Sequence, residues 1–266
     1  MSIREDDEGS GRAGVQSVEV GLALFRRLAD AGRPLALSDL ARAAGMHRAK
    51  AHRYLASLMQ AGFVKQLDDG SYDIGPYVLD LSIACMARLD PVQLGAAAAA
   101  GLAAACDETC VAAVWTGAGA TVVRACRPQR QVAIGIAEGT VFNLTMSATG
   151  RVFAAWLPAA ETQAALDAEL AGHKARRNRL APRSAKEMQA VLEEVRREGL
   201  SAVRGLNAPG VNALAAPVFD AGGRIVLALT LVGPEMSLDV AYDGRPARLL
   251  RRAAAGLSAR LGWRAA

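Results

Sequence analysis

Histidine, arginine and lysine crowd one short stretch of the chain. In "GMHRAKAHRYLASLMQAG" (Gly45–Gly62), His47, Arg48, Lys50, His52 and Arg53 fall in the first half, and the second half is nearly neutral. Bounded by glycines, the stretch reads as a helix. Its positive charge sits at the N-terminal end, where the helix dipole is also positive and cations are disfavoured. An external polyanion would remove that conflict. From Leu40 to Gln66 there is no Asp or Glu, while Arg42, Arg48, Lys50, Arg53, Lys65, His47 and His52 all lie in that span. An acid-free basic span of this kind is an electrostatic footprint for phosphates. At about 100° per residue, Ala51, Leu55, Leu58 and Gly62 share an inward face. Ala49, Lys50, Arg53, Ser57 and Gln60 lie opposite, mixing small residues that allow close approach with donors that reach base edges. Met46, His47 and Arg48 open the helix, where they can meet the backbone of a nucleic acid. His52, at the edge, either packs against a neighbouring element or touches phosphate. The competing reading of the whole span is a solvated basic face.

Other chemistries lack their parts. Outside this region the sole histidine is His173, and no GxSxG, phosphate-binding loop or zinc-binding pair occurs. Catalysis is not expected; an enzyme in the C-terminal domain is the alternative. Cys106 and Cys110 would lie one turn apart if their helix continued, but no further ligands accompany them. Reduced, largely buried thiols are expected at Cys85, Cys106, Cys110 and Cys126, with no metal and no cofactor. A formal charge of +5 is mildly basic. "LGAAAAAGLAAAC" is too short to span a bilayer, and the first residues lack a signal-peptide core, so a cytoplasmic protein is expected.

The elements that must position the basic stretch are legible around it. Residues 1–14, acidic and then glycine-rich, read as a disordered tail. A helix is predicted over Ser17–Ala31, with Ser17 as N-cap and Val18, Leu22, Phe25 and Leu28 as its apolar stripe. Ser38 is the expected N-cap of a short second helix. After the basic helix, Phe63–Val64 and Tyr72–Ile74 flank Asp69–Gly70, a hairpin signal. Helix, short helix, turn, helix and hairpin make a winged helix-turn-helix over residues 15–76. A linker helix is expected at 77–90, with Leu79, Ile83 and Met86 on one face. An α+β domain with a mainly antiparallel sheet then fills 91–266. Its strands are predicted at Val111–Thr116, Thr121–Cys126, Gln131–Ile136, Leu200–Arg204, Ala213–Phe219 and Ile225–Val232. An alanine-rich helix opens the domain, and a last helix is expected from Leu238 to Leu261.

With these stretches in view, the chain resembles the IclR family of bacterial transcriptional regulators over nearly its whole length. The resemblance is carried by "VQSVEVGLALFRRLADAGRPLALSDLARAAGMHRAKAHRYLASLMQAGFV", "GSYDIGPYVLDL", "SATGRVFAAWLP" and "PGVNALAAPVFDAGGRIVLALTLVGP". It implies a winged helix-turn-helix, a linker helix and a GAF/PAS-like effector-binding domain. It also implies a double-stranded DNA operator, a small-molecule effector, commonly an organic or aromatic acid, and a homodimer or homotetramer with no membrane partner. Ser38, His47, Arg48, Lys50, Arg53, Ser57 and Lys65 are the expected DNA-facing residues. The family's effector loops map onto Phe142, Ala148, Thr149, Val203, Ala213, Thr230 and Val232, with Asn212 added as a polar contact.

Two departures matter. His47, Arg48, Ala49 and Lys50 stand where the family commonly has Pro, Lys, Ser and Thr, so the operator is expected to be distinctive. Relatives that bind small polar acids often carry an acid at the position of Val203 and Cys or Ser at those of Ala213 and Val232. The pocket here is therefore expected to be less polar and its effector larger, such as an aromatic acid, although Val203, Ala213 and Val232 also read as plain core. A second basic run, "GHKARRNRLAPR" (Gly172–Arg183), reads as a solvated loop or as a route for an acidic effector.

Overall fold

The computed structural model describes residues 14–86, 88–130, 133–175 and 181–264, apart from the side chains of 86 and 173–175. The expected tail, save Gly14, lies outside the described residues. So do Gln131, Val132 and the centre of the second basic run. The chain divides into two compact units, 1–89 and 90–266.

In the first unit, α1 (Gln16–Ala31), α2 (Leu37–Ala43) and α3 (Arg48–Gln60) are followed by the hairpin β1 (Val64–Gln66) and β2 (Tyr72–Ile74), then α4 (Tyr77–Met86). The winged helix-turn-helix order is as expected, but three details differ. Val15, not Ser17, precedes α1, and no side chain caps it. The buried side of α1 is Gly21, Leu24 and Leu28, whereas Val18 and Leu22 are 55% and 52% exposed. Periodicity sets the spacing of a stripe but not its phase. Here the buried phase places Gly21 against the Tyr54 ring of α3. The third difference is at α2, whose N-cap is Ala36 and whose interior holds Ser38. Leu35 exchanges both backbone hydrogen bonds with Tyr72 (3.0 and 2.8 Å), which keeps the chain extended up to Ala36. The helix starts directly afterwards, and Ser38 is not its cap.

Leu24, Leu28, Leu40, Ala51, Leu55 and Tyr72 close the small core of this unit. In the wing, Val64 pairs with Ile74, Lys65 with Asp73 and Gln66 with Tyr72. Gly70 (φ 80°) takes the left-handed position of the turn, and the Asp69 carboxylate accepts from the Ser71 amide (2.9 Å) and hydroxyl (2.6 Å). α4 stops at Met86, short of the expected Asp90. Asp90 instead accepts from the amides of Val92 (2.9 Å) and Gln93 (3.2 Å), capping the next helix.

The second unit runs α5 (Pro91–Cys106), β3 (Thr109–Thr116), β4 (Gly119–Cys126), β5 (Val141–Phe142), α6 (Ala148–Trp156), α7 (Ala159–Ala175), α8 (Ala185–Glu198), β6 (Ser201–Arg204), β7 (Val211–Phe219), β8 (Ile225–Pro234) and α9 (Arg245–Arg260). The strands form one sheet in the order β5-β4-β3-β8-β7-β6, antiparallel at every pairing. α5 and α9 pack against the sheet, and α6 packs on β6, β7 and β8. Residues 133–136 are not in a strand as expected, and β5 takes the edge beside β4 instead. The last helix begins at Arg245 rather than Leu238, with Gly244 as its N-cap residue and Pro246 in its first turn. Asp107 (φ 50°) ends α5, so Cys106 and Cys110 do not share a helix.

Strand alternation sorts the two faces of the sheet. Thr230 bonds to α6, so Val232 and Thr230 of β8 share the α6 side with their cross-strand partners Ala213 and Ala215 of β7, and Thr109 and Val111 of β3. α6 reaches this face because Gly150 brings its first turn against the backbone of Asn143 and Leu144, where a side chain would overlap the Asn143 carbonyl. Substituting Gly150→Ala forces that contact apart and is expected to cost about 1–3 kcal/mol. Urea unfolding monitored through the tryptophans checks this; all three lie in the second unit.

Candidate nucleic-acid interface and small-molecule site

α3 begins at His47, whose Nδ1 accepts from the Ala49 amide at 3.3 Å. His47 thus caps a helix end crowded with cations. The first turn of α3 holds no acid. Ala51 and Leu55 are fully buried, while Arg48, Ala49, Lys50, Arg53, Ser57 and Gln60 are exposed. The two faces thus lie where the sequence placed them. His52 is also exposed, so of its two expected roles the packing one is lost: Tyr54 and Leu58 supply the half-buried contacts.

The basic span divides by partner. Arg42 is paired with Asp39 of its own helix at 3.3 Å, and Lys65 with Asp73 across the wing at 3.6 Å. Arg48, Lys50 and Arg53 have no hydrogen-bonding or ion-pairing side chain among the described residues. Three uncompensated cations therefore project from one exposed helix. The wing tip differs in sign: Asp68 and Asp69 are exposed there. Hydrogen bonds from Ser71 hold the Asp69 carboxyl below the usual carboxylate range, so it is ionised at neutral pH. Ser38, half-buried inside α2, and Ser57, whose hydroxyl donates to the Arg53 carbonyl at 3.3 Å, complete the expected set.

The second site is built around the start of α6. Ser147 caps the helix by accepting from the Gly150 amide at 2.9 Å, and its hydroxyl donates to the Asn143 carbonyl at 2.6 Å. The preceding loop is tied down from several sides. Glu169 of α7 accepts from the amides of Leu144 (2.8 Å) and Thr145 (2.9 Å) and from the Thr145 hydroxyl (2.6 Å). Arg151 donates from Nε to the Thr145 carbonyl at 2.9 Å, and burial lowers its pKa from the ordinary arginine value. No acceptor among the described residues takes the amides of Ala148 and Thr149. Beside them the Thr149 and Thr230 hydroxyls meet at 2.9 Å in a buried contact.

Of the expected effector residues, Ala148, Thr149, Thr230, Val203 and Val232 are buried, and Phe142 and Ala213 are half-buried. Val203 pairs with Ala213, Ala213 with Val232 and Val232 with Thr109, forming one row across four strands on the α6 side. Phe142 and Trp115 both pair with Ala120 further along the sheet, and the Trp115 ring lies 5.8 Å from that of Phe153 in α6. Asn212 is a correction. One residue from Ala213, it faces the opposite side of the sheet, where its amide nitrogen donates to the Leu238 carbonyl at 3.0 Å. Three contributors escape a reading of the sequence. Thr109 and Ser201 share the face of their expected neighbours by alternation, and the Ser201 hydroxyl is buried without a partner among the described residues. Glu169 gave no signal, because it reaches a loop 25 residues away. No group of three or more His, Cys, Asp or Glu able to hold a metal ion occurs among the described residues, and no described helix is long and apolar enough to cross a membrane.

Comparison with known proteins agrees with both halves. Residues 17–68 match the IclR helix-turn-helix domain, and residues 86–259 match the family described as bacterial transcriptional regulator IclR C-terminal. The glycerol operon regulatory protein of Streptomyces griseus is 32% identical over 93% of this chain and 97% of its own length. The HTH-type transcriptional repressor AllR of Klebsiella pneumoniae is 26% identical over 96% of this chain and 93% of its own. The crystal structure of Pseudomonas aeruginosa HmgR superposes with a TM-score of 0.87 at 37% identity, covering 95% of this chain and 100% of that one. With its C-terminal match alone spanning more than half of the residues, the chain belongs to the IclR family of bacterial transcriptional regulators.

Proposed function

We propose that this regulator reads its operator with α3 and answers to an aromatic or otherwise apolar organic acid held at the start of α6. The carrying observation for DNA is the trio of uncompensated cations, Arg48, Lys50 and Arg53, on the exposed face of a helix whose own first turn offers no acid. Lys50, Arg53 and Ser57 face the major groove, and Arg48 with the His47 end of the helix meets phosphate. Ser38 supports the backbone contacts of α2. Lys65 contributes least, since Asp73 already neutralises it and the wing tip is acidic.

For the effector, the carrying observation is the buried start of α6, where no described residue accepts from the amides of Ala148 and Thr149. A helix N-terminus with free amides favours an anion, and the Thr149 and Thr230 hydroxyls extend that seat for a carboxylate. Around it, Val203, Ala213, Val232 and Phe142 offer apolar surface, which suits a ring better than a small polar acid. Asn212 is left out of this site. The effector then biases operator affinity through the segment at 77–90. Such a shift requires that it bind the DNA-competent and DNA-incompetent arrangements with different affinity. Repression or activation by a cytoplasmic homodimer or homotetramer fits this reading, as do Val18, Leu22, Leu79 and Ile83, apolar side chains that the first unit leaves exposed.

Anisotropy titrations with the DNA upstream of the regulator's own gene test the interface. Lys50→Ala and Arg53→Ala are each expected to weaken binding and, where the cation neutralises a phosphate, to flatten the log affinity against log salt by about 0.9. Lys65→Ala is expected to change both far less. Wild-type affinity in both α3 variants would remove α3 as the reading element. Calorimetry with benzoate-type acids beside glyoxylate-type acids tests the pocket. Aromatic acids should bind, and Thr149→Val should weaken them about tenfold, the scale of one hydrogen bond to a charged group. Tight binding of the small acids alone contradicts the reading.

A further inference from the structure

Three of the four cysteines gather at α5: Cys106 ends it, and Cys110 and Cys126 lie on the sheet it covers. Cys110 of β3 and Cys126 of β4 are direct cross-strand partners. Directly opposed residues of an antiparallel pair have Cα atoms about 4.5 or 5.5 Å apart, inside the roughly 4.4–6.8 Å that a disulfide bridges without backbone movement. Both side chains point to the same face. Cys110 is one residue from Thr109 and Val111, which face α6, so it points to the α5 side. A bulge in the pairing, between Ala112 and Ala113, returns Cys126 to that side, where its Sγ lies 4.0 Å from the Ala96 carbonyl of α5. Cys110 is buried and Cys126 half-buried, and Cys106, half-buried at the end of α5, stands close enough for its charge to act on Cys110. No disulfide is formed: all four thiols are free.

We propose that Cys110 and Cys126 are a redox-modification site, closing to a reversible cross-strand disulfide when the protein meets a hydroperoxide. The Cys126 thiolate, the more accessible of the two, attacks a peroxide oxygen. The O–O bond breaks, leaving a sulfenic acid, and the departing oxygen takes a proton to become water. The Cys110 thiolate then attacks the Cys126 sulfur. The S–O bond breaks, and hydroxide leaves as water with the proton that Cys110 gave up. Two thiols and one hydrogen peroxide thus become one disulfide and two waters. The link falls on the strand whose neighbouring residues, Thr109 and Val111, floor the α6 side, which places it directly beneath the proposed effector seat.

The surroundings set the pace. Burial raises the pKa of Cys106, Cys110 and Cys126 above the ordinary thiol value, Cys110 most of all. Arg124 opposes the rise at Cys126 and Glu138 adds to it, Arg245 of α9 opposes it at Cys106, and α5 carries no charge. The thiolate is scarce at neutral pH, so closure is slow there and accelerates as pH rises.

Full-length protein treated with hydrogen peroxide, then quenched, denatured, thiol-titrated and peptide-mapped without reductant, tests this. Titratable thiols should fall from four to two, a Cys110–Cys126 peptide should appear, dithiothreitol should restore the count, and a higher pH should speed the loss. Cys85→Ser with Cys106→Ser should keep the link, and Cys126→Ala should abolish it. Four surviving thiols, or a link that runs through Cys106 or Cys85, would overturn the proposal. DNA binding by the reduced protein is read separately, so failure here leaves the regulator assignment standing.

Discussion

The start of α6 is a helix terminus taken out of water, and buried peptide groups must find partners. Seven of the nine residues of α6 are buried, so solvent does not serve them. Ser147 satisfies the Gly150 amide, and Asn143, Glu169 and Arg151 satisfy the loop that leads in. That scaffold fixes the orientation of the first turn over β7 and β8. No described residue accepts from the amides of Ala148 and Thr149, although both residues are buried. Polar side chains gather at this end of the helix: the Thr149 and Thr230 hydroxyls, and the Glu169 carboxylate of α7, which accepts from the Leu144 and Thr145 amides and from the Thr145 hydroxyl.

α3 poses the same problem in the open. Its terminus is in water, so its amides are not at risk, and the conflict is instead between the dipole and the cations at Arg48 and Lys50. The His47 imidazole caps that end without adding an acid. An acid there would relieve the helix but repel phosphate. The two helix ends thus have one electrostatic character and two settings. The buried one would suit the single carboxylate group of the proposed acid at low dielectric. The exposed one suits a polyanion, whose attraction is screened by salt.

The wing shows how local pairing subtracts from a charge count. Seven cationic or protonatable residues stand between Leu40 and Gln66, yet Asp39 and Asp73, just outside that span, each hold one of them. Both acids approach through structure, one along a helix turn and one across a hairpin. The density of charge in the sequence therefore overstates the free charge, which is concentrated on α3.

Residue type and spacing alone identified α3, its buried Ala51 and Leu55, its outward Lys50 and Arg53, and the Asp69–Gly70 turn. These depend on interactions within a few residues, where helix and hairpin geometry are nearly invariant. The same holds for the long strands of the second unit. What depended on contact between distant segments was decided only in three dimensions. The phase of α1 follows from burying Leu24 and Leu28 in the small core, the start of α2 from Leu35 pairing with Tyr72, and β5 replaces the expected strand because it finds β4. Asn212 lies one residue out of register with the row of Val203, Ala213 and Val232, which strand alternation turns into the opposite face of the sheet. Glu169, and the meeting of Cys110 with Cys126, became visible only with the fold, because side-chain chemistry is local in sequence while partnership is local in space.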